Sequence, residues 1–238
     1  GANWSMTYKF SEKEFVVSSP SACLGPYVRT DLGFGFVNAL STSQTLSGSI
    51  LPGINGTITN PSISVSPGVR FDVAPGYNFN DWLGAEFSAG ILYNGLDHLN
   101  GSGSLTTDRG SVTVGPGGNP LTGRFLQVPA LFSSVFRWPG SARWKPFLST
   151  GFGVAYSQLQ IQGVQNTAGN ALVETSDQMA QQFSPAFQVG SGFLWQVSDT
   201  VDFDATYKLL GLINPSYSAF HPGVALSNTF QFGINVRF

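Results

Sequence analysis

The last eleven residues, Asn228 to Phe238, read NTFQFGINVRF and constrain the fold more than any other segment. Phe230, Phe232, Ile234, Val236 and Phe238 alternate with Thr229, Gln231, Gly233, Asn235 and Arg237. A strand sends successive side chains to opposite faces, so one face is apolar throughout and the other polar. The segment stops on an aromatic residue at the end of its apolar face. Such an ending suits a transmembrane barrel, where the apolar face meets lipid and aromatics gather at the interface.

Composition supports that reading. Charged residues make up 10% of the chain, far below the quarter usual for soluble domains, and aromatics 13%. No stretch approaches the ~20 consecutive apolar residues of a membrane helix. A barrel reconciles these facts because alternation dilutes its apolar residues. The net charge of -2 and the absence of a basic run give no case for nucleic acid. Cys23 is the only cysteine, which excludes an intrachain disulfide framework. The chain opens GANWSM without a basic and apolar leader and is expected to be a mature form.

Seven further segments alternate in the same way. They run about Pro26 to Leu40, Val65 to Phe79, Trp82 to Leu96, Gly123 to Trp138, Lys145 to Ile161, Phe183 to Val197 and Val201 to Leu212. Their connections alternate between short and long. Asn80-Asp81, Pro139 to Trp144 and Ser198 to Thr200 are short turns. Ser41 to Ser64, His98 to Thr122 and Gln162 to Gln182 are long links rich in Gly, Ser, Thr and Asn, and Asn214 to Gly223 is shorter. The expected fold is all-β: an eight-stranded antiparallel up-and-down transmembrane barrel with short periplasmic turns and long extracellular loops. Eight strands also let the first pair with the last, leaving no edge in lipid. Residues 1–24 read as an N-terminal periplasmic extension and 25–238 as the barrel. Pro67, Pro75, Pro129, Pro146 and Pro185 fall inside these segments and are expected to mark bulges or strand ends.

The phase assigns side chains to faces. Trp82, Trp138, Trp144 and Trp195 flank the short turns, and Tyr93 and Tyr156 lie near the long-loop ends, as aromatic girdles would. Arg29, Asp31, Arg70, Asp72, Glu86, Arg137, Lys145, Asp202, Asp204, Lys208 and Arg237 fall on the inward face. An eight-stranded barrel has room inside only for side chains. These charges are therefore expected to pair with one another as a filled core. Arg237 and Asp202 should be neighbours. Inward glycines make room for long side chains, and Leu131, Phe147 and Leu194 add bulk to the lumen.

No catalytic, cofactor-binding or metal-binding residue is assigned. The only histidines are His98 and His221. Asp97 adjoins His98, with Ser102 and Ser104 beyond. Adjacent residues of a continuing strand point apart, so this spacing does not build a Ser-His-Asp arrangement. Two distant histidines without a ligand-spaced cluster give no metal site.

The runs PYVRTDLGFGF, VAPGYNFNDWLGAEFSAG, KPFLSTGFGVAY and FQVGSGFLWQVSDTVDFDATYKL, with the terminal strand, resemble the OmpA-like or opacity-type eight-stranded outer-membrane barrels. The likeness covers about Gly25 to Phe238. The alternation of Phe230, Phe232, Ile234, Val236 and Phe238 resembles the C-terminal assembly signal of such proteins. The resemblance implies a bacterial outer-membrane location with both termini periplasmic. It also implies contact with outer-membrane lipid and lipopolysaccharide, and handling by the barrel assembly machinery. It does not imply one activity. The reading is a structural or interaction protein that meets a partner through its loops or N-terminal segment; the alternative is a narrow pore or small-molecule carrier.

Overall fold

The computed structural model describes residues 24–51, 53–115, 117–139, 143–165 and 172–238. The expected N-terminal extension, with Trp4 and Cys23, lies outside the described residues apart from Leu24. Twelve strands follow in chain order: β1 (Gly25–Val37), β2 (Leu40–Ser41), β3 (Thr45–Leu51), β4 (Ile54–Val65), β5 (Gly68–Asn78), β6 (Leu83–Thr107), β7 (Gly110–Val114), β8 (Asn119–Arg137), β9 (Trp144–Gln165), β10 (Leu172–Gln196), β11 (Val201–Ile213) and β12 (Val224–Arg237).

Eight of them close a ring. β1 pairs with β5, β5 with β6, β6 with β8, and β8 through β12 pair in succession. The β1–β12 seam then joins the ends over eleven residue pairs, from Tyr27 opposite Arg237 to Val37 opposite Ser227. All pairings are antiparallel. The short turns are fixed by side chains that imitate backbone acceptors. Asn80 Oδ1 accepts from the N–H of Trp82 at 3.0 Å and of Leu83 at 2.7 Å. Ser198 Oγ accepts from Thr200 and Val201 at 3.3 and 3.1 Å.

Among the described residues, much of the three longest links is strand. β6 and β10 run for 25 residues each, far beyond the ~10 needed to cross a bilayer. β4 pairs with the far half of β6, β2 and β3 pair with β4, and β7 folds back on the end of β6. A sheet of four strands, β3-β4-β6-β7, therefore projects from the long-loop end. Bulges rephase the strands where the projection begins. In β6 the inward residues are even-numbered up to Leu96 and odd-numbered from Leu99, because the register with β8 shifts between Gly95 and His98. In β9, Gln162 is the extra residue between Ile161 and Gly163, which face Gly123 and Thr122.

The prolines behave otherwise than expected. Pro67 lies between β4 and β5, but Pro75, Pro129, Pro146 and Pro185 sit inside strands with no register shift beside them. At Pro75 and Pro129 the ladder is interrupted on one side and continues on the other, opposite Val28 and Ala155. A proline lacks one donor, so it costs one ladder bond and leaves the register intact.

The interior changes character along the axis. Towards the short turns it is mainly polar, with one small apolar cluster of Val135, Phe147 and Leu194. Towards the long loops it is a continuous apolar core that includes Leu92, Leu96, Leu99, Ile58, Phe125, Leu159 and Leu210. The link between β11 and β12 turns inwards to complete it. Tyr217 and Phe220 are fully buried there, and Tyr217 meets Phe125 edge-on at 5.9 Å between ring centres. The Tyr217 hydroxyl donates to Ser157 Oγ at 2.8 Å. Burial pushes this phenol well above its ordinary range, so it stays a neutral donor. Gln182 holds the link by accepting from the Ser216 N–H, and Ser218 Oγ donates to the Ser49 carbonyl at 3.1 Å. Phe220→Ala should lower stability by about 3–5 kcal/mol, read as a shift of the urea midpoint of the detergent-folded protein.

Candidate functional site

Among the described residues, charged and polar side chains converge in one half of the lumen. Alternation on β1, β5, β6, β11 and β12 turns every second residue inwards, and the inward set carries the charge. Six groups form one chain through the barrel. Glu86 accepts from Arg29 Nη2 at 2.8 Å. Arg29 Nε lies 3.4 Å from Asp31. Lys208 Nζ sits between Asp31 at 2.6 Å and Asp72 at 2.9 Å. Arg70 Nε reaches Asp72 at 3.0 Å. Three carboxylates and three cations thus balance across four strands. Lys208 is 0% and Arg70 1% exposed. Burying charges so deeply is tolerable only because each has an opposite partner.

Neutral groups extend the network. Arg70 also donates to Gln188 Oε1 at 2.7 Å and to Thr229 Oγ1 at 3.4 Å. Gln231 donates to Asp72 at 3.0 Å. Thr206 donates to Asp204 at 2.8 Å. Nearer the apolar half, Ser227 donates to Gln127 at 2.8 Å. Small residues leave the space these groups need: a methyl group on Gly90 would overlap Asp72, and one on Gly233 would overlap both Asp31 and Asp204.

A second cluster lies at the short-turn mouth. Arg237 Nη2 donates to Asp202 Oδ1 at 2.9 Å and to the Ser198 carbonyl at 3.2 Å. Asn235 donates to Asp202 Oδ2 at 3.4 Å. Arg137 Nη2 donates to the Tyr27 hydroxyl at 3.1 Å, and Tyr27 in turn donates to Glu86 at 2.8 Å. Lys145 lines the same mouth. Nine of the eleven charged residues assigned to the inward face are buried, and Lys145 and Arg237 are half-buried at the mouth. The residues that the charge pattern alone does not single out are Tyr27, Gln188, Thr206 and Gln231. Tyr27 shares the phase of Arg29, and this was the available signal.

The outward face is apolar and aromatic. Trp82, Trp138, Trp144, Trp195 and Tyr93 are exposed, and Tyr156 is half-exposed. Trp144 stacks on Trp195 at 5.3 Å, and Trp82 on Phe136 at 6.4 Å. Phe230, Phe232, Ile234 and Phe238 are exposed on β12 or just beyond it, and Val236 is half-exposed. The expected divergence of Asp97 and His98 is corrected. Asp97 Oδ2 meets His98 Nδ1 at 3.0 Å, because the bulge here breaks the alternation that separates neighbours. Among the described residues no serine hydroxyl bonds to His98, and no group of three His, Cys, Asp or Glu side chains could hold a metal ion.

No family model matches the sequence, and no curated protein matches it. Among solved structures the chain is similar to Neisserial surface protein A, at 16% identity and a TM-score of 0.50, over 90% of this chain and 97% of that one. It is also similar to the outer membrane protein OprG from Pseudomonas aeruginosa, at 13% identity and a TM-score of 0.49, over 90% and 96% of the two chains. Ail, the attachment invasion locus protein of Yersinia pestis, matches at 12% identity and a TM-score of 0.43, over 90% and 100%. The fold is that of the small outer-membrane β-barrels.

Two substitutions probe the network. Lys208→Met leaves Asp31 and Asp72 without their shared cation and should destabilise the barrel by about 3–5 kcal/mol. Asp202→Ala, at the more open mouth, should cost less while still lowering the unfolding midpoint. Equal loss from both in urea unfolding would contradict the depth assigned to Lys208.

Proposed function

We propose that this chain is a closed bacterial outer-membrane barrel with a structural or interaction role, not an enzyme and not an open pore. The observation that carries the reading is the filled lumen. The six-group charge chain occupies its lower half, the apolar core its upper half, and Tyr217 and Phe220 sit across the top. Ions crossing such a lumen would have to displace paired charges and then enter an apolar layer.

The exposed aromatic and aliphatic band supports a lipid environment, since water would meet an apolar surface far larger than a soluble monomer carries. In this reading the short turns and both termini are periplasmic, and the projecting sheet faces outwards. The surroundings are outer-membrane lipid and lipopolysaccharide. The assembly machinery reads the strand from Phe230 to Phe238. A protein partner meets the outer rim or the N-terminal segment, and nucleic acid has no part. The rim suits contact because its backbone is held in ladders over an apolar core, so a partner would meet a preformed surface.

Planar-bilayer recording of the detergent-folded protein should be silent, with insertion checked separately. Reproducible conductance steps would overturn the closed reading in favour of a narrow pore or carrier. Ile234→Arg, on the outward face of β12, should cost about 2–4 kcal/mol in liposomes if that face meets lipid. A cost near zero would remove β12 from the lipid belt.

A further inference from the structure

One charged side chain of the ring strands lies on the wrong side of the wall. Below the bulges of β6 and β9, Arg124 is the only charged residue, among those described, that the alternation turns outwards. Its neighbours on β8 fix its direction. Phe125 is fully buried in the apolar core, and a methyl group on Gly123 would come within 2.8 Å of Leu96 in that core. Arg124 therefore lies on the opposite face, where it is half-exposed. Among the described residues no carboxylate pairs with it, and its Nε is buried without a hydrogen-bond partner.

The ladder sets its height. Arg124 faces Gly95 of β6 and Gln160 of β9. Two residues lower, Leu126 faces Tyr93. Four residues lower, Val128 faces Tyr156, whose ring packs against Phe183 at 5.3 Å. These rings form the girdle at the long-loop end, so Arg124 stands roughly 7 Å of strand beyond Tyr93. Interfacial rings mark the headgroup level, where lipid phosphates lie. An arginine this far out escapes most of the penalty of mid-depth. The space beside it is open, since a methyl group on Gly95 would meet only Ser66, at 3.9 Å. Asp97, the next acid on β6, is engaged with His98 at 3.0 Å. A guanidinium held above an apolar wall fits a ligand with an anionic head and an apolar tail.

We infer that Arg124 is a lipid-phosphate site. Its guanidinium holds a phosphate of a lipid in the leaflet at the long-loop end, and the acyl chains of that lipid lie down the wall of Leu126, Val128 and Phe183. The inference rests on the outer-membrane orientation proposed above, in which that leaflet carries lipopolysaccharide, and it commits to the lipid A phosphates of that molecule.

Native mass spectrometry of the detergent-folded full chain, titrated with purified lipid A, tests the site. R124Q should weaken the tightest uptake of lipid A by about tenfold relative to the wild type. R109Q, which removes a charge from the turn between β6 and β7, should bind as the wild type does. Lipid A stripped of its phosphates should bind the wild type no better than intact lipid A binds R124Q. That comparison needs no variant and stands if R124Q does not fold. The inference is overturned if R124Q binds lipid A as the wild type does, if R109Q weakens uptake equally, or if removing the phosphates changes nothing. Insertion of the wild type into phosphatidylcholine liposomes separates the two readings. Failure to insert overturns the outer-membrane reading and the site together, whereas insertion with unchanged R124Q binding removes the site alone.

Discussion

Everything in this molecule depends on closure of the seam between β1 and β12. A strand edge presents a row of unpaired donors and acceptors, and in hydrocarbon nothing but another strand can satisfy them. The eleven paired positions of the seam remove that edge. Closure then forces a consequence on the sequence. Eight strands enclose a lumen too narrow for bulk water, so whatever points inwards must satisfy itself. The chain Glu86–Arg29–Asp31–Lys208–Asp72–Arg70 is a solution to that demand, and it ties β6, β1, β11 and β5 to one another from inside the ring. A buried ion pair adds little net stability against a hydrophobic replacement, but removing one member is costly. The network thus penalises wrong registers, because a two-residue slip would separate Lys208 from both of its carboxylates.

The same barrel solves two different solvent problems along its length. In the lower half the outside is apolar and the inside polar. In the upper half, beyond Tyr93, the inside is apolar, with Leu96, Leu99 and Leu105 on β6 alone. The upper half is held by ordinary hydrophobic burial, and the lower half by closure and charge pairing. The tucked link with Tyr217 and Phe220 belongs to the upper half. It supplies two fully buried rings to the apolar core.

The lower half was legible in the sequence because a strand of period two records its own phase. Phe230 to Phe238 and Val201 to Leu209 need no tertiary information to be sorted into two faces. Charge then labelled which face was inward. The upper half was hidden by its bulges. The alternating segments read from the sequence stop at Leu96 and Ile161 and begin at Val65, which are the positions where β6, β9 and β4 change register. One inserted residue inverts the phase, so apolar residues that share the interior no longer share parity. Composition reinforced the error, since many of the Gly, Ser, Thr and Asn of the links face water while Ile54, Ile58 and Ile63 face in. Contacts across the lumen, such as Arg137 to Tyr27, join residues 110 apart in sequence and leave no local trace.

The projecting sheet has a mechanical meaning. From Tyr93 to Thr107, β6 continues as ladder rather than loop. At the usual rise and tilt this carries its tip on the order of 30 Å past Tyr93. A flexible loop of equal length would sample a broad volume and spend little time at full reach. A braced stalk holds its tip at a fixed standoff from the bilayer. The height at which this protein meets its surroundings is thereby written into strand length, and shortening β6 and β4 in matched pairs would lower it by a set step.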